Sequence, residues 1–524
     1  MVTVDPMPSP ATLPARADVV IVGAGPVGLC AAILLAGRGL RSIVLERHDA
    51  PYPQPRAVHL DDEVLRILDR AGVGADFRRI SRPGKGLRLV DARLRTLAMF
   101  RRSESADRSL PAASMFHQPD LELLLRSRVA DLPEIHLACG YEYDGFTDIP
   151  GGVRVRAHRT KGATAEDVDA RYLLGCDGAR STVRDHIGAR MQDLGFDQRW
   201  VVMDVEVATG VRSWGGIDQV FDAYRAGTYM QIDDRRHRWE FRLRDGERGA
   251  DFADPHVMRA VIRPWLDDPE HTELTVIRCV EYAFRAMISD RWRRGRVFLA
   301  GDAAHVTPPF VGQGLGSGLR DVANLSWKLA AHAAGAPDEV LDTYAAERAP
   351  HTRALILRAV MIGRAMTSTT IRARALRTLL LPRAERVPGL STLATSSVTP
   401  ALVPSRLVWG ARADRRGMLF PYEIPGGATA GGCLVETSGR PDAALARLAR
   451  RHGLLWVSGW RGPAPSMLRR WSGGRRFLLV RPDGTVAAGH RGRRRAAASL
   501  ARYAATLAPA ATADLEPARV TGVS

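Results

Sequence analysis

Residues 19–28 read Val-Val-Ile-Val-Gly-Ala-Gly-Pro-Val-Gly, an apolar run that passes straight into Gly23-x-Gly25-x-x-Gly28. The run reads as a strand over 17–22, and residues 27–38 follow with helical spacing. Residues 41–45 give a second short strand, closing a strand–helix–strand unit with Glu46 at its C-terminal end. That is the context the glycine pattern requires. Gly23 permits the tight turn, Gly25 lets backbone approach a pyrophosphate, and Gly28 lets helix and strand pack closely. The phosphates then lie over the positive end of the helix. Glu46 stands where an acidic side chain accepts ribose hydroxyls, and a carboxylate there disfavours a 2′-phosphate. The dinucleotide is therefore FAD or NAD.

A distant segment favours FAD. Residues 296–305, Arg-Val-Phe-Leu-Ala-Gly-Asp-Ala-Ala-His, form another apolar strand ending in Gly301-Asp302. FAD has a long polyhydroxyl middle, and Asp302 offers a carboxylate for its ribityl hydroxyls. The turn Pro308-Pro309-Phe310-Val311-Gly312-Gln313-Gly314 brings bare backbone close to an isoalloxazine ring. The helix after it points its positive end at the flavin N1–C2=O edge, which is anionic when the cofactor is reduced. His305 reads as a catalytic base or as a hydrogen-bonded structural histidine, and so crowded a turn favours the second. In a third turn, Cys176-Asp177-Gly178-Ala179-Arg180-Ser181, Asp177 reads as a pyrophosphate contact or as part of a turn and helix cap.

Helices are expected over 61–71, 118–129, 316–334 and 341–348, with helical periodicity continuing through 355–400. Strands are expected over 153–155 and 171–174. Between 200 and 285 the chain changes character: 201–207, 228–232, 239–243 and 274–282 read as strands of a mainly antiparallel sheet. The fold class is α/β, a Rossmann-like FAD-binding domain with an inserted mainly antiparallel substrate-binding sheet and a C-terminal α/β domain. The expected domains are a flexible extension (1–16), the first part of the FAD-binding domain (17–185, with a substrate-domain excursion near 78–110) and the substrate sheet (186–280). The second part of the FAD-binding domain (281–399) and the C-terminal domain (400–524) complete the chain.

The net charge of +18 suggests nucleic acid at first sight, but only three lysines contribute and the arginine clusters are dispersed. None is interleaved with the aromatic run that stacks bases, so no nucleic-acid partner is expected. No apolar stretch approaches bilayer length, so no membrane partner is expected either. Five scattered cysteines, none in a C-x-x-C pair, imply neither a disulfide framework nor a metal site and fit a cytoplasmic location.

Taken in order, the motifs resemble one family. They are Gly23-Ala-Gly-Pro-Val-Gly28, Pro55-Arg56-Ala57-Val58, Phe116-His117-Gln118-Pro119-Asp120, Cys176-Asp177-Gly178, Gly301-Asp302-Ala303-Ala304-His305 and Gly312-Gln313-Gly314. The set is similar to that of the single-component FAD-dependent aromatic hydroxylases, in the branch of 3-(3-hydroxyphenyl)propionate hydroxylase and the polyketide-tailoring hydroxylases. The likeness covers about 17–355. The tail is only faintly similar to that branch's thioredoxin-like third domain and lacks a C-x-x-C, so it would be structural.

The resemblance implies Glu46 on ribose, Arg47 near adenine, Arg56 and Gln118 beside the flavin and its ribityl chain, and Asp302 on ribityl hydroxyls. It implies the backbone of Pro309, Gly312, Gly314 and Leu315 around the ring. The implied reaction is reduction of FAD by NADPH or NADH, addition of O2 to give a C4a-hydroperoxide, and transfer of one oxygen to a small aromatic substrate. The protein would be a monomer or homodimer, and the arginine- and alanine-rich composition leans towards antibiotic biosynthesis. The antiparallel sheet should wall the substrate pocket, where Met203, Tyr229, Trp239 and Phe241 either face the ring or fill the sheet's own core. Tyr224 or His237 is a candidate to assist deprotonation of a phenol. Because the cofactor performs the hard step, no catalytic dyad is expected. Two other classes stay open: a same-fold enzyme doing Baeyer–Villiger oxidation or dehydrogenation, and a non-catalytic FAD-binding protein.

Overall fold

Arg16–Val22 is the middle of a sheet, pairing in parallel with Ser42–Glu46 on one side and Ala165–Gly175 on the other. Val19, Val20 and Ile21 are wholly buried, as a strand covered on both faces requires, and this is why the sequence shows a continuous apolar run. Ile135–Cys139 and Val297–Leu299 extend the sheet outward, both in parallel. A hairpin, Tyr141–Ile149 with Gly152–Arg159, joins it antiparallel. This computed structural model describes residues 12–508 apart from 52, 55, 103–109, 163, 223, 369, 371–398, 423–430 and 459–464. Of the extension expected over 1–16, residues 1–11 lie outside the described residues, as does most of the periodic stretch 355–400, while Arg16 already begins the first strand.

The second sheet runs, edge to edge, His305–Val306, Thr275–Ser289, Met191–Glu206, Arg236–Arg242, Gly227–Gln231, Ile217–Val220, Gly86–Val90 and Thr96–Arg101. All its pairs are antiparallel except Ile217–Val220 with Gly86–Val90. The excursion near 78–110 thus supplies the far strands of this sheet. Met191–Glu206 and Thr275–Ser289 are longer than their sequence suggests. The added part of the first, residues 191–200, is largely polar and bulged between Asp193 and Asp197, so apolar alternation does not mark it.

Pro26–Ala36 carries Pro26 in its first turn and buries ten of its eleven residues between the parallel sheet and its helical neighbours. Gly314–Ala333 packs against it. Glu339–Thr367 is one 29-residue helix that runs through Pro350. The sequence separates it at that proline, which removes one helical N–H, but packing along one buried side keeps it continuous. In the tail, Leu455–Val457, Cys433–Glu436, Phe477–Val480 and Val486–His490 form a sheet in that order, the first pair parallel and the rest antiparallel. With Ala443–Arg451, Pro465–Trp471 and Arg493–Leu507 between and after its strands, the tail is an α/β domain in the connection order of a thioredoxin-like one.

The tail is bound to the rest through a shared core and a buried ionic network. Trp327 and Val340 pack with Leu434, Phe477 and Leu500. Arg481 donates to Glu347 at 2.8 Å and to Asp483, while Lys328 donates to Glu347 at 2.9 Å. Among the described residues no helix is long and apolar enough to cross a membrane, and no group of residues could hold a metal ion.

Candidate active site

Arg16–Val22, Ala165–Gly175 and Val297–Leu299 end side by side, and each runs into a glycine-containing turn. The turns open on a cleft of about 610 Å³ at the carboxyl ends of the strands, where open α/β sheets bind ligands. The antiparallel sheet closes its far side.

The glycines divide into two kinds. Gly23 has φ +102°, and a Cβ there would lie 2.5 Å from the Cys176 carbonyl oxygen. A Cβ at Gly28 would lie 2.0 Å from the Gly23 oxygen. Packing of the protein itself demands both. Gly25 and Gly314 line the cleft without a positive φ, yet an added Cβ at either meets no protein atom within 4 Å. Their bare backbone faces only the cleft, as a ligand pressed against main-chain amides needs. Two helices start on this surface, Pro26–Ala36 after Gly25 and Gly314–Ala333 after Gln313, and neither has a side-chain cap. Their first-turn N–H groups are left for an anionic ligand. One N-terminus suits a pyrophosphate and the other a flavin carbonyl edge, so the residues present fit FAD.

Glu46 lies beyond the cleft lining. Its carboxylate accepts from the Ala24 N–H at 2.9 Å and the His48 N–H at 3.0 Å, which fixes it against the glycine turn. Arg47 is exposed beside it, its Nε 3.2 Å from His48 Nε2. Arg56 and Gln118 both line the cleft. Gln118 accepts from the Ala57 N–H at 2.7 Å and donates to Glu122 at 2.7 Å, while the Arg56 carbonyl accepts from the Arg238 guanidinium. Asp302 also lines the cleft; surrounding protein raises its pKa above the ordinary carboxylate value, against the pull of His305 and Arg56. Pro309, Gly312, Gly314 and Leu315 complete that wall. Asp177 is turned elsewhere: it accepts from the Val183 N–H at 3.1 Å at the start of Thr182–His186 and does not line the cleft. Of its two readings, the helix-terminal one is the geometry seen.

Behind the wall, Asp61 caps Asp62–Arg70 by accepting from the Val64 N–H at 3.0 Å. It also accepts from Gln313 at 2.8 Å and from Arg320 at 2.6 Å. Burial opposes its ionisation, but Arg320 and Gln313 hold it below the usual carboxylate range. His305 is fully buried with Nε2 2.7 Å from Asp321, whose other oxygen accepts from Arg348 at 2.9 Å. Asp321 also accepts from the Gly301 N–H at 3.1 Å, so the His305–Asp321 pair braces that turn, and His305 does not line the cleft.

The substrate-side candidates need correction. Met203, Tyr229, Trp239 and Phe241 are buried in a separate core with Phe252, Met258, Ile262 and Trp265, and none lines the cleft. Period-two alternation is the reason: their neighbours Thr228, Met230, Arg238 and Glu240 point the other way, into the cleft. Tyr224 is 68% exposed on the surface. His237 lies in that same second core, its Nδ1 3.0 Å from the Tyr229 hydroxyl and its pKa pushed down by burial to about 4. Sequence reasoning missed His59, Gln219, Thr228, Arg238 and Glu240, which all line the cleft. The parity of the strand could have found them, since Arg238 and Glu240 alternate with Trp239 and Phe241.

Comparisons with known proteins agree with this geometry. A family model described as an FAD binding domain matches residues 16–359. A probable NADH-specific resorcinol 4-hydroxylase of Rhodococcus jostii is 36% identical over 351 residues, covering 67% of this chain and 66% of that one. A 3-(3-hydroxy-phenyl)propionate/3-hydroxycinnamic acid hydroxylase of Mycolicibacterium smegmatis is 35% identical over 378 residues, covering 72% and 66%. The chain thus spans about two thirds of the length of these relatives. Among solved structures, aklavinone-11 hydroxylase in a ternary complex with FAD and aklavinone superposes with a TM-score of 0.74 at 26% identity, over 94% of this chain and 98% of that one. The continuous match from the first glycine turn through the Gly301 turn places this chain in the FAD-binding-domain family of flavoproteins.

Proposed function

We propose that this protein is an NAD(P)H-dependent flavin monooxygenase that hydroxylates a phenolic or polycyclic aromatic substrate. The observation that carries the reading is the continuity of the cleft. The bare-backbone cradle of Gly25, Asp302 and Gly314 opens directly into a mainly apolar chamber walled by Leu87, Leu89, Phe100, Phe221, Met230 and Phe310. FAD, when bound, would supply the redox chemistry there, with NAD(P)H as reductant and O2 as oxidant. The chain's own residues hold, orient and exclude water.

Gly23, Gly25 and Gly28 would shape the pyrophosphate turn, Glu46 and Arg47 the adenosine end, and Arg56, Gln118 and Asp302 the ribityl stretch. The backbone at Pro309, Gly312, Gly314 and Leu315 would lie along the ring. Two hydrogen bonds tie the substrate wall to this cradle: Gln219 donates to the Phe310 carbonyl at 2.8 Å, and Arg238 to the Arg56 carbonyl. A planar ring seated against the sheet is thereby held in register with the cofactor turn. Resorcinol and 3-(3-hydroxyphenyl)propionate, the substrates after which these relatives are named, are phenols, which supports that substrate class.

The test is oxidation of NADH and of NADPH by purified holoenzyme, with and without resorcinol, 3-(3-hydroxyphenyl)propionate and polycyclic phenols, followed by product mass. Stimulated oxidation with a ring-hydroxylated product one oxygen heavier is expected. A product lighter by two hydrogens would replace the reading with dehydrogenation. Absence of stimulation across the panel would overturn it.

A further inference from the structure

We propose that Glu240 is the residue that binds the substrate's ring hydroxyl and accepts its proton, an assignment that rests on the hydroxylase reading above. Glu240 lies in Arg236–Arg242, on the face that looks into the cleft. Its residue is only 5% exposed, and its carboxylate is ion-paired with Arg238 at the edge of salt-bridge range. The nearest cation, Arg238 Nη1, is 4.0 Å away, beyond hydrogen-bond range. A carboxylate that buried is costly unless a partner satisfies it. The open side of the cleft is where such a partner fits.

The register of the sheet builds a polar row around it. Gln219 pairs with Thr228, and Thr228 pairs with Glu240, so three polar side chains cross three strands in line. All three line an otherwise mainly apolar chamber. The row is anchored at one end where Gln219 bonds the Phe310 carbonyl in the cofactor turn. A hydroxylated ring lying in the chamber would bring its oxygen to this row and leave its carbons to the apolar wall.

The charges facing Glu240 come from several elements. Arg238 stands on its own strand, Asp204 on Met191–Glu206 and Arg278 on Thr275–Ser289; Arg358, from Glu339–Thr367, lines the same cleft. Asp204 takes both nearby arginines, accepting from Arg238 at 2.6 and 3.0 Å and from Arg278 at 3.0 Å. Arg238 additionally bonds the Arg56 carbonyl. Asp204 thus takes the close hydrogen bonds of both cations, and Glu240 keeps only the longer 4.0 Å ion pair with Arg238. Burial pushes its pKa up to about 7, with Arg238 and Arg278 pulling down and Asp204 pushing up.

The proton step balances without a further reactant. The phenolic O–H bond breaks, its electron pair stays on oxygen, and the proton forms an O–H bond on the Glu240 carboxylate. The ring gains electron density. Product release returns the proton to water. A phenol ionises at about 10 and an ordinary glutamate at about 4.3, so a carboxyl near 7 roughly halves that mismatch. Ionised Glu240 is the acceptor, so activity should rise with pH through about 7.

The test compares wild-type, Glu240→Gln and Glu240→Asp holoenzymes, with resorcinol and 3-(3-hydroxyphenyl)propionate as probes and NADH or NADPH as reductant. Bound-FAD content reports whether each variant is folded. Expected for Glu240→Gln are unchanged FAD content, a fall in kcat of about 100-fold, a smaller change in KM, and loss of the rising pH limb. Glu240→Asp should recover part of kcat and keep a pH limb. If the wild type is active and Glu240→Gln matches it in kcat and pH profile, the Glu240 assignment falls and the hydroxylase reading stands. A Glu240→Gln protein that loses FAD, together with a Glu240→Asp protein of unaltered kcat and pH profile, makes Glu240 structural and overturns the assignment. A wild type that no probe stimulates overturns the hydroxylase reading and this role with it.

Discussion

Asp61 and Arg320 are 259 residues apart in sequence, and their side chains meet at 2.6 Å in the protein interior. Glu63 joins them at 2.9 Å from the same guanidinium, and Gln313 bridges Arg320 and Asp61. The cluster fastens the start of Gly314–Ala333 to the end of the His59–Asp61 strand, so the cofactor turn cannot move without breaking buried ion pairs.

Replacing Arg320 with Met should therefore act on both stability and FAD retention. The buried Asp61 and the half-buried Glu63 lose their cation, which costs about 3–5 kcal/mol. Thermal unfolding and the FAD-to-protein ratio measure it. Unchanged melting together with full FAD content would refute this role.

Gly25 and Gly28 should respond differently to alanine. A Cβ at Gly25 meets only the open cleft, so Gly25→Ala is expected to fold normally and bind FAD roughly tenfold or more weakly, about 1.4 kcal/mol. A Cβ at Gly28 would sit 2.0 Å from the Gly23 oxygen, so Gly28→Ala should destabilise the apoprotein itself. Circular-dichroism melts of apoprotein with FAD titration separate the two.

Trp239 is fully buried in the second core, away from the cleft. Trp239→Ala should cost about 3–5 kcal/mol of stability. Below its lowered melting temperature it should leave the KM for a phenol nearly unchanged. A selective rise in KM without loss of stability would return Trp239 to the substrate wall.

Acid should loosen the whole molecule through Glu347. Burial disfavours its charge, but Arg481, Lys328 and Asn324 outweigh that and hold its pKa far below the ordinary 4.5. With the folded pKa below the unfolded one, the stabilisation is fully present above pH 4.5 and is lost as pH falls below it. Glu347→Gln should lower stability at neutral pH and flatten its fall between about pH 4.5 and 3. Denaturant midpoints at several pH values test the sign.

Much of this protein is legible in the chain alone. The apolar run into Gly23, the acidic Glu46 and the distant Gly301-Asp302 announce a dinucleotide cradle, because buried parallel strands and φ-positive turns restrict which residues can occupy them. Gly25, Asp302 and the 309–315 turn line one cleft, and Gln118, which the family resemblance implied, lines it too. The substrate wall was not legible in the same way. Trp239 and Glu240 are neighbours in sequence, and a strand sends them to opposite faces. Which face meets the cleft is fixed by pairing across the sheet and by Pro255–Ile262 covering the apolar side, not by any local pattern. Local sequence thus set the turns and strands where backbone sterics leave few choices. Only the tertiary structure decided which side of a two-faced sheet became the chamber, because that depends on what each face is packed against.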